Sequence, residues 1–417
     1  MKIKSLYEMF KKVRPYLLVI AFTLFVFSWV MKYGAPGGYE EVVFWTSVSR
    51  YLAIFIIVVG QPIDFKKNVI MIVLWMFYNV YEFILVLSGI HVNHVNQIST
   101  YLLDMGLYVL MAISLATYLS KKINLVWAAV QLGLTLSLGW MAFNFHSQLM
   151  TYIPDLVSGI YENSRISRVG IGFYNVNILG GLSGLLVFVS LIGVCKKQFR
   201  YSSVITTFFG AYLLINAGTR SAMLSLVATL LFFLIVRIGR RFRTIIVTGL
   251  PIAFFVGEFI YGTFIGVVNG KSNLAEIVGS LTTKRSELGM LAFDRLSDVP
   301  HVLFGTGMRI QADIRATFFS DWLGSYGLDG EPQWFIFTTG IFGALVTLII
   351  VSLAMYRIGK RSVSGFLFMV YFGTTMTFEH VFFNSQSASG SFGLILMVLF
   401  VILLGDGQSD LFRRQVA

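Results

Sequence analysis

Arginines mark the places in this sequence where chemistry could be done. Arg165 and Arg168 stand three residues apart, just ahead of Gly170, Gly172, Asn175 and Asn177. Arg220 follows Gly218 and Thr219 between two apolar stretches with almost no connecting chain. Arg285, Leu288, Ala292 and Arg295 recur at helical spacing, and Arg309 and Arg315 come later in the same polar stretch. A guanidinium is a planar fork of donors that matches phosphate oxygens, and glycine lets backbone approach a bound group closely. The pattern suits an anionic, phosphate-bearing ligand. Each cluster also fits a plainer role: a solvated loop at lipid headgroups for Arg165 and Arg168, snorkelling for Arg220, and an interfacial amphipathic helix for Arg285 and Arg295. Arg220 is the most pointed of them. A helix start already favours anions, so a cation there is locally unfavourable unless an anion joins it.

Carboxylates are few. Asp329 and Glu331 precede an apolar stretch, where they suit either a general base near a cavity wall or the capping of a helix N-terminus. His91 and His94 lack an evident third metal ligand and read as part of a polar loop. His301 and His380 belong to no motif. No phosphate-binding loop, dinucleotide fingerprint or nucleophile elbow is present, so no cofactor and no metal are expected.

The elements that must position these groups are membrane helices. Of 417 residues, 56% are hydrophobic and 12% are charged, with mean hydropathy +0.77; soluble domains carry about 25% charged residues. The net charge of +12 is parcelled out between apolar stretches, a pattern of membrane anchoring, and no nucleic-acid partner is expected. About twelve spans of some twenty residues fall near 15–32, 42–62, 68–89, 98–119, 124–143, 175–194, 202–218, 220–237, 244–265, 333–355, 362–380 and 389–405. Alternate connections then hold Lys66 and Lys67, Lys121 and Lys122, Lys196 to Arg200, Arg237 to Arg243, and Arg357 to Arg361. These fall on one side together with both termini, and that side should be cytoplasmic. The first span reads as uncleaved, and Cys195 is the only cysteine, so no internal disulfide forms. The opposite side receives two long loops, about 144–174 and 266–332, in a single polytopic membrane domain covering 1–417. Leu274, Ile277, Val278 and Leu281 give the second loop a short helix of its own. Arg50 and Asp104 lie roughly 12 and 9 Å inside the membrane boundary at 1.5 Å per residue. They suit an ion pair between two spans, or Arg50 suits the ligand cavity, with Glu258 as another partner.

Three blocks resemble the O-antigen ligase and O-antigen polymerase superfamily of polytopic, metal-independent glycosyltransferases. They are Gly172 to Gly180; Gly218-Thr219-Arg220-Ser221 opening the next span; and Lys284 to Ala292 with Pro300, Phe304 to Gly307 and Thr339 to Gly343. The resemblance covers about 160–345. It implies an all-α fold of the GT-C type in a bacterial inner membrane, with the active site facing the periplasm. It also implies that Arg220 and Arg285 handle a lipid pyrophosphate. Ligases of the family carry an essential histidine just before the tenth span; here that place reads Asp329-Gly330-Glu331-Pro332, which moves the balance toward polymerase, with Glu331 standing in by position.

The expectation is a polymerase joining undecaprenyl-pyrophosphate-linked repeat units, with membrane lipid and a chain-length regulator as further partners. Glu331 or Asp329 would take the acceptor proton, and Arg220 and Arg285 would stabilise the leaving group. Arg165, Arg168, Asn175, Arg295, Arg309 and Arg50 would line the substrate site. A ligase, or a flippase for lipid-linked glycan, remains an alternative.

Overall fold

A backbone inside lipid must satisfy its own polar groups, so uninterrupted apolar stretches close into helices. The computed structural model describes residues 2–34, 40–59, 76, 80–91, 106–107, 110–115, 119, 123–149, 170–173, 176–196, 199–235, 245–246, 249, 299–307, 337–346, 348–349, 352–353, 356 and 362–378. Among them the structure is mostly helical, with no strand. Among the described residues, three helices are long and apolar enough to cross a membrane: Val13–Met31, Ile123–Asn144 and Val176–Cys195. This is the character of an integral membrane protein. The expected span at 389–405 lies outside the described residues, and that at 244–265 mostly does.

By its contacts the chain falls into two compact units. The described helices of the first are α1 (Lys2–Gly34), α2 (Glu40–Val58), α3 (Ile123–Asn144), α4 (Val176–Cys195), α5 (Arg200–Ala217) and the start of α6 (Arg220–Ile235). Helix α1 packs on α2 and α3, α3 on α4, and α4 on α5. Small residues set the close approaches. A Cβ on Gly133 would lie 2.7 Å from that of Val26, so only glycine lets α3 meet α1 there. Polar side chains join three helices: Gln131 of α3 donates to Thr206 Oγ1 of α5 at 2.7 Å and to Ser203 Oγ at 3.2 Å, and Ser190 of α4 lies 2.8 Å from Thr206.

Among the described residues, three basic side chains lie toward one end of this unit. Arg14 reaches the Val59 carbonyl at 3.4 Å, where a cation complements the C-terminus of α2. Lys196 donates to Asn124 Oδ1 at 3.0 Å, so the end of α4 meets the start of α3. Thr23 and Ala129 pair at 3.4 Å where α1 runs alongside α3. Arg14, Lys196 and Arg200 thus gather at one end, and Gly218 to Arg220 lie at the other. The outer faces are apolar: Leu132, Leu136, Trp140 and Phe143 of α3 are exposed, as are Tyr201, Ile205 and Phe208 of α5. A patch of this extent suits hydrocarbon rather than water.

The second unit holds residues 80–91, the remainder of α6, α7 (Val299–Phe304), α8 (Phe337–Val346) and α9 (Val363–Phe378). Helix α9 buries Phe366, Phe368, Tyr371 and Phe372, and Phe232 of α6 meets Phe366 edge-on at 6.1 Å. The helical run 80–87 is turned inside out. Its polar residues Tyr81 and Glu82 are buried, while Val80, Phe83, Ile84 and Leu87 are exposed. A helix in water would do the reverse.

Candidate functional site

In the first unit the site is built on a helix-to-helix turn. Helix α5 ends at Gly218, whose φ of 58° and ψ of 32° place it in the left-handed region that glycine enters without strain. Its N–H donates to Leu214 O at 3.1 Å and Ile215 O at 3.0 Å, closing the last turn. Thr219 follows, and Arg220 is the first residue of α6. The sequence expectation of a tight hairpin made by Gly218, with Arg220 at a helix start, matches this geometry.

Thr219 ties the turn to α4. Its side chain is buried at 1% exposure, and its hydroxyl donates to Val176 O, in the first turn of α4, at 3.3 Å. A Cβ on Gly180 would collide with the Thr219 side chain. Val176 to Gly180 and Gly218 to Arg220, parts of two of the resembling blocks, are therefore one packed unit. Arg220 projects from it with an exposed side chain. Asn216, one turn before, is fully buried, and its amide donates to Tyr212 O at 2.8 Å; Tyr212 in turn donates to Leu149 O at 3.0 Å.

Gly172 does not do what its spacing suggested. It has φ +85°, but a side chain there would strike Phe145 and Met141, so its bareness admits protein rather than a ligand. Gly170 accepts a hydrogen bond from Phe173 N at 2.9 Å, closing the turn that leads into α4.

Arg50, on α2, is 4% exposed. Its Nη2 lies 3.4 Å from Tyr51 Oη, and its guanidinium carbon is 5.0 Å from the centre of that ring. A cation over an aromatic face is partly compensated for leaving water. Arg165, Arg168, Asn175, Arg285, Arg295, Arg309, Asp329 and Glu331 lie outside the described residues, as do Asp104 and Glu258.

The second unit holds a cluster that the sequence reading missed. The helical run 80–87 ends in a glycine-terminated cap: Gly89, at φ +73°, donates to Val86 O at 3.1 Å, and Ile90 donates to Leu85 O at 3.1 Å. The chain doubles back, and His91 lands beside Glu82, with Nδ1 3.1 Å from a carboxylate oxygen. His91 and Glu82 are 3% and 1% exposed, so the polar-loop reading of His91 is corrected. His91 Nε2 is 2.8 Å from Phe304 O, and Tyr81 donates its single hydroxyl hydrogen to Thr339 O at 2.6 Å, with Phe304 O at 3.2 Å as the longer, shared acceptor.

The same segment is hydrogen-bonded to the start of α8. Thr306 N and Oγ1 each donate to Phe337 O at 3.0 Å, and Gly307 N donates to Thr338 O at 2.9 Å. Gly305, at φ +82°, and Gly340, at φ +67°, allow the backbones to meet; a Cβ on either would strike the facing main chain. The Phe304 to Gly307 and Thr339 to Gly343 blocks are thus also one packed unit. A carboxylate inside an apolar stretch, with tyrosine beside it and histidine nine residues on, was the signal that could have exposed the cluster.

No family model matches the chain, and no curated protein matches it.

Proposed function

We propose that the chain is an O-antigen-type polymerase of a bacterial inner membrane, with about twelve spans, a GT-C-type fold, both termini cytoplasmic and the reacting groups at the periplasmic face. The observation that carries this reading is the contact of Thr219 with Val176 and Gly180, which joins two of the resembling blocks and presents Arg220 from their junction. The gathering of Arg14, Lys196 and Arg200 at the opposite end supports that orientation.

In this mechanism a donor glycan on undecaprenyl pyrophosphate and an acceptor repeat on the same carrier lie side by side. Glu331 or Asp329 takes the proton from the acceptor hydroxyl. The oxygen attacks the donor anomeric carbon, the bond from that carbon to the pyrophosphate oxygen breaks, and undecaprenyl pyrophosphate leaves. Arg220 and Arg285 stabilise the charge growing on it, while Arg165, Arg168, Asn175, Arg295, Arg309 and Arg50 belong to the surrounding substrate site. Fixed donors of this kind are worth about 3–4 kcal/mol each. The pyrophosphate bond is already activated, so no nucleotide is consumed.

Replacing Arg220 or Arg285 by alanine in cells tests the reading. Polymerase loss leaves single-repeat lipopolysaccharide. A ligase defect would instead leave polymer on its lipid carrier, and long chains at normal protein levels would refute the assigned roles. Purified protein that moves a lipid-linked repeat across vesicles without forming linkages would make it a flippase.

A further inference from the structure

The Glu82 and His91 pair holds a segment far along the chain, and the hold depends on hydrogen placement. Phe304 O can only accept, so His91 Nε2, at 2.8 Å from it, carries a hydrogen. His91 Nδ1 then faces Glu82 at 3.1 Å. That 3.1 Å approach sets the imidazole against the carboxylate and fixes the face it turns to Phe304. Tyr81, stacked on Phe342 at 6.1 Å and edge-on to His91 at 6.2 Å, donates to Thr339 O of α8 at 2.6 Å and lies 3.2 Å from Phe304 O. His91 thus holds the end of α7, and Tyr81 bridges that end to the start of α8. Two residues on, Thr306 is fully buried against α8. Neither interaction is local: Tyr81 and His91 lie 223 and 213 residues from Phe304 in sequence.

We propose that Tyr81, Glu82 and His91 are positioning residues. Together they clamp Val299–Gly307 onto α8, a segment that Arg295 and Arg309 flank in sequence, four residues before Val299 and two after Gly307. The catalytic part of this inference rests on the polymerase reading; the clamp itself does not. Displacement of a substrate-holding group by about 1 Å costs roughly a hundredfold in rate.

The test uses the full chain with Cys195→Ser and Thr306→Cys, so that one buried thiol reports on the clamp. His91→Ala should raise the rate of maleimide labelling by about tenfold, the ratio given by one lost buried hydrogen bond, and Glu82→Ala should raise it as well, because the imidazole loses the carboxylate that its Nδ1 faces. Glu82→Gln can donate an amide hydrogen to Nδ1, and His91→Gln can donate one to Phe304 O, so both should label at nearly the parental rate. Their monodispersity in detergent shows that folding is intact. With Thr306 restored, kcat for joining purified lipid-linked repeats should fall about tenfold or more in the alanine variants and recover in the glutamine variants. Parental labelling in Glu82→Ala and His91→Ala overturns the clamp. Faster labelling with unchanged kcat overturns its role in positioning. A parent protein that joins no repeats overturns the polymerase reading and with it the catalytic role, while labelling still decides the clamp.

Discussion

Thr219 occupies the space that a side chain on Gly180 would need. The start of α6 can approach α4 only because that one position is bare, and the position of Arg220 follows from the approach.

Gly180→Ala should therefore destabilise the protein by about 1–3 kcal/mol, the range for overpacking a close contact. Gly181→Ala is the control, since a Cβ there meets nothing within 4 Å. Thermal unfolding in detergent should lower Tm for the first variant and leave the second unchanged or slightly higher.

Arg220 is exposed, so its loss should be felt in chemistry rather than in folding. On the proposed polymerase function, Arg220→Ala should leave stability within about 0.5 kcal/mol while lowering kcat for repeat joining about 10²–10³-fold. Arg220→Lys keeps the charge and loses the fork, and should recover only part of the rate. Turnover of a purified lipid-linked repeat checks both. A large drop in Tm for either variant would mean that the side chain is structural.

The Gln131 network should contribute modestly. Gln131→Leu removes the donor to Ser203 and Thr206 and leaves two hydroxyls to find other partners inside the helices. Interhelical hydrogen bonds in membranes are worth about 0.6–2 kcal/mol. Gln131→Leu combined with Thr206→Val should be less damaging than the sum of the single changes, because the paired groups go together. Unfolding of the four proteins in a double-mutant cycle measures the difference.

Gly305→Ala and Gly340→Ala should be the harshest of these substitutions. Each places a side chain at positive φ and drives it into facing backbone. Losses of about 3 kcal/mol or more are expected from the combined strain and displacement. Limited proteolysis should cut within 299–307 in these variants and spare the parent.

The helical, membrane-type character of the described residues could be read in advance because the solvent is simple. Spans expected at 124–143, 175–194 and 202–218 correspond to Ile123–Asn144, Val176–Cys195 and Arg200–Ala217. Long apolar runs bounded by lysine, arginine or glycine leave hydrocarbon-facing helices little freedom in where to begin and end. Gly218 was legible because one residue had to turn the chain between two spans. The joining of Gly180 to Thr219 was not, since helix-to-helix register depends on shapes far apart in sequence. Glu82 and His91 were missed for a related reason. A Gly89 cap brings them together, and hydropathy records neither the turn nor the pair.

The reversal at Gly89 also bears on biosynthesis. Histidine and carboxylate are made within ten residues of each other, so a nascent chain can deliver an ionisable group to the bilayer with its counterpart already alongside. The energetic obstacle to inserting it is lessened before residues 299–307 and 337–340 leave the ribosome. Those later residues then dock onto a seat prepared in advance, which gives assembly of this unit an intrinsic order.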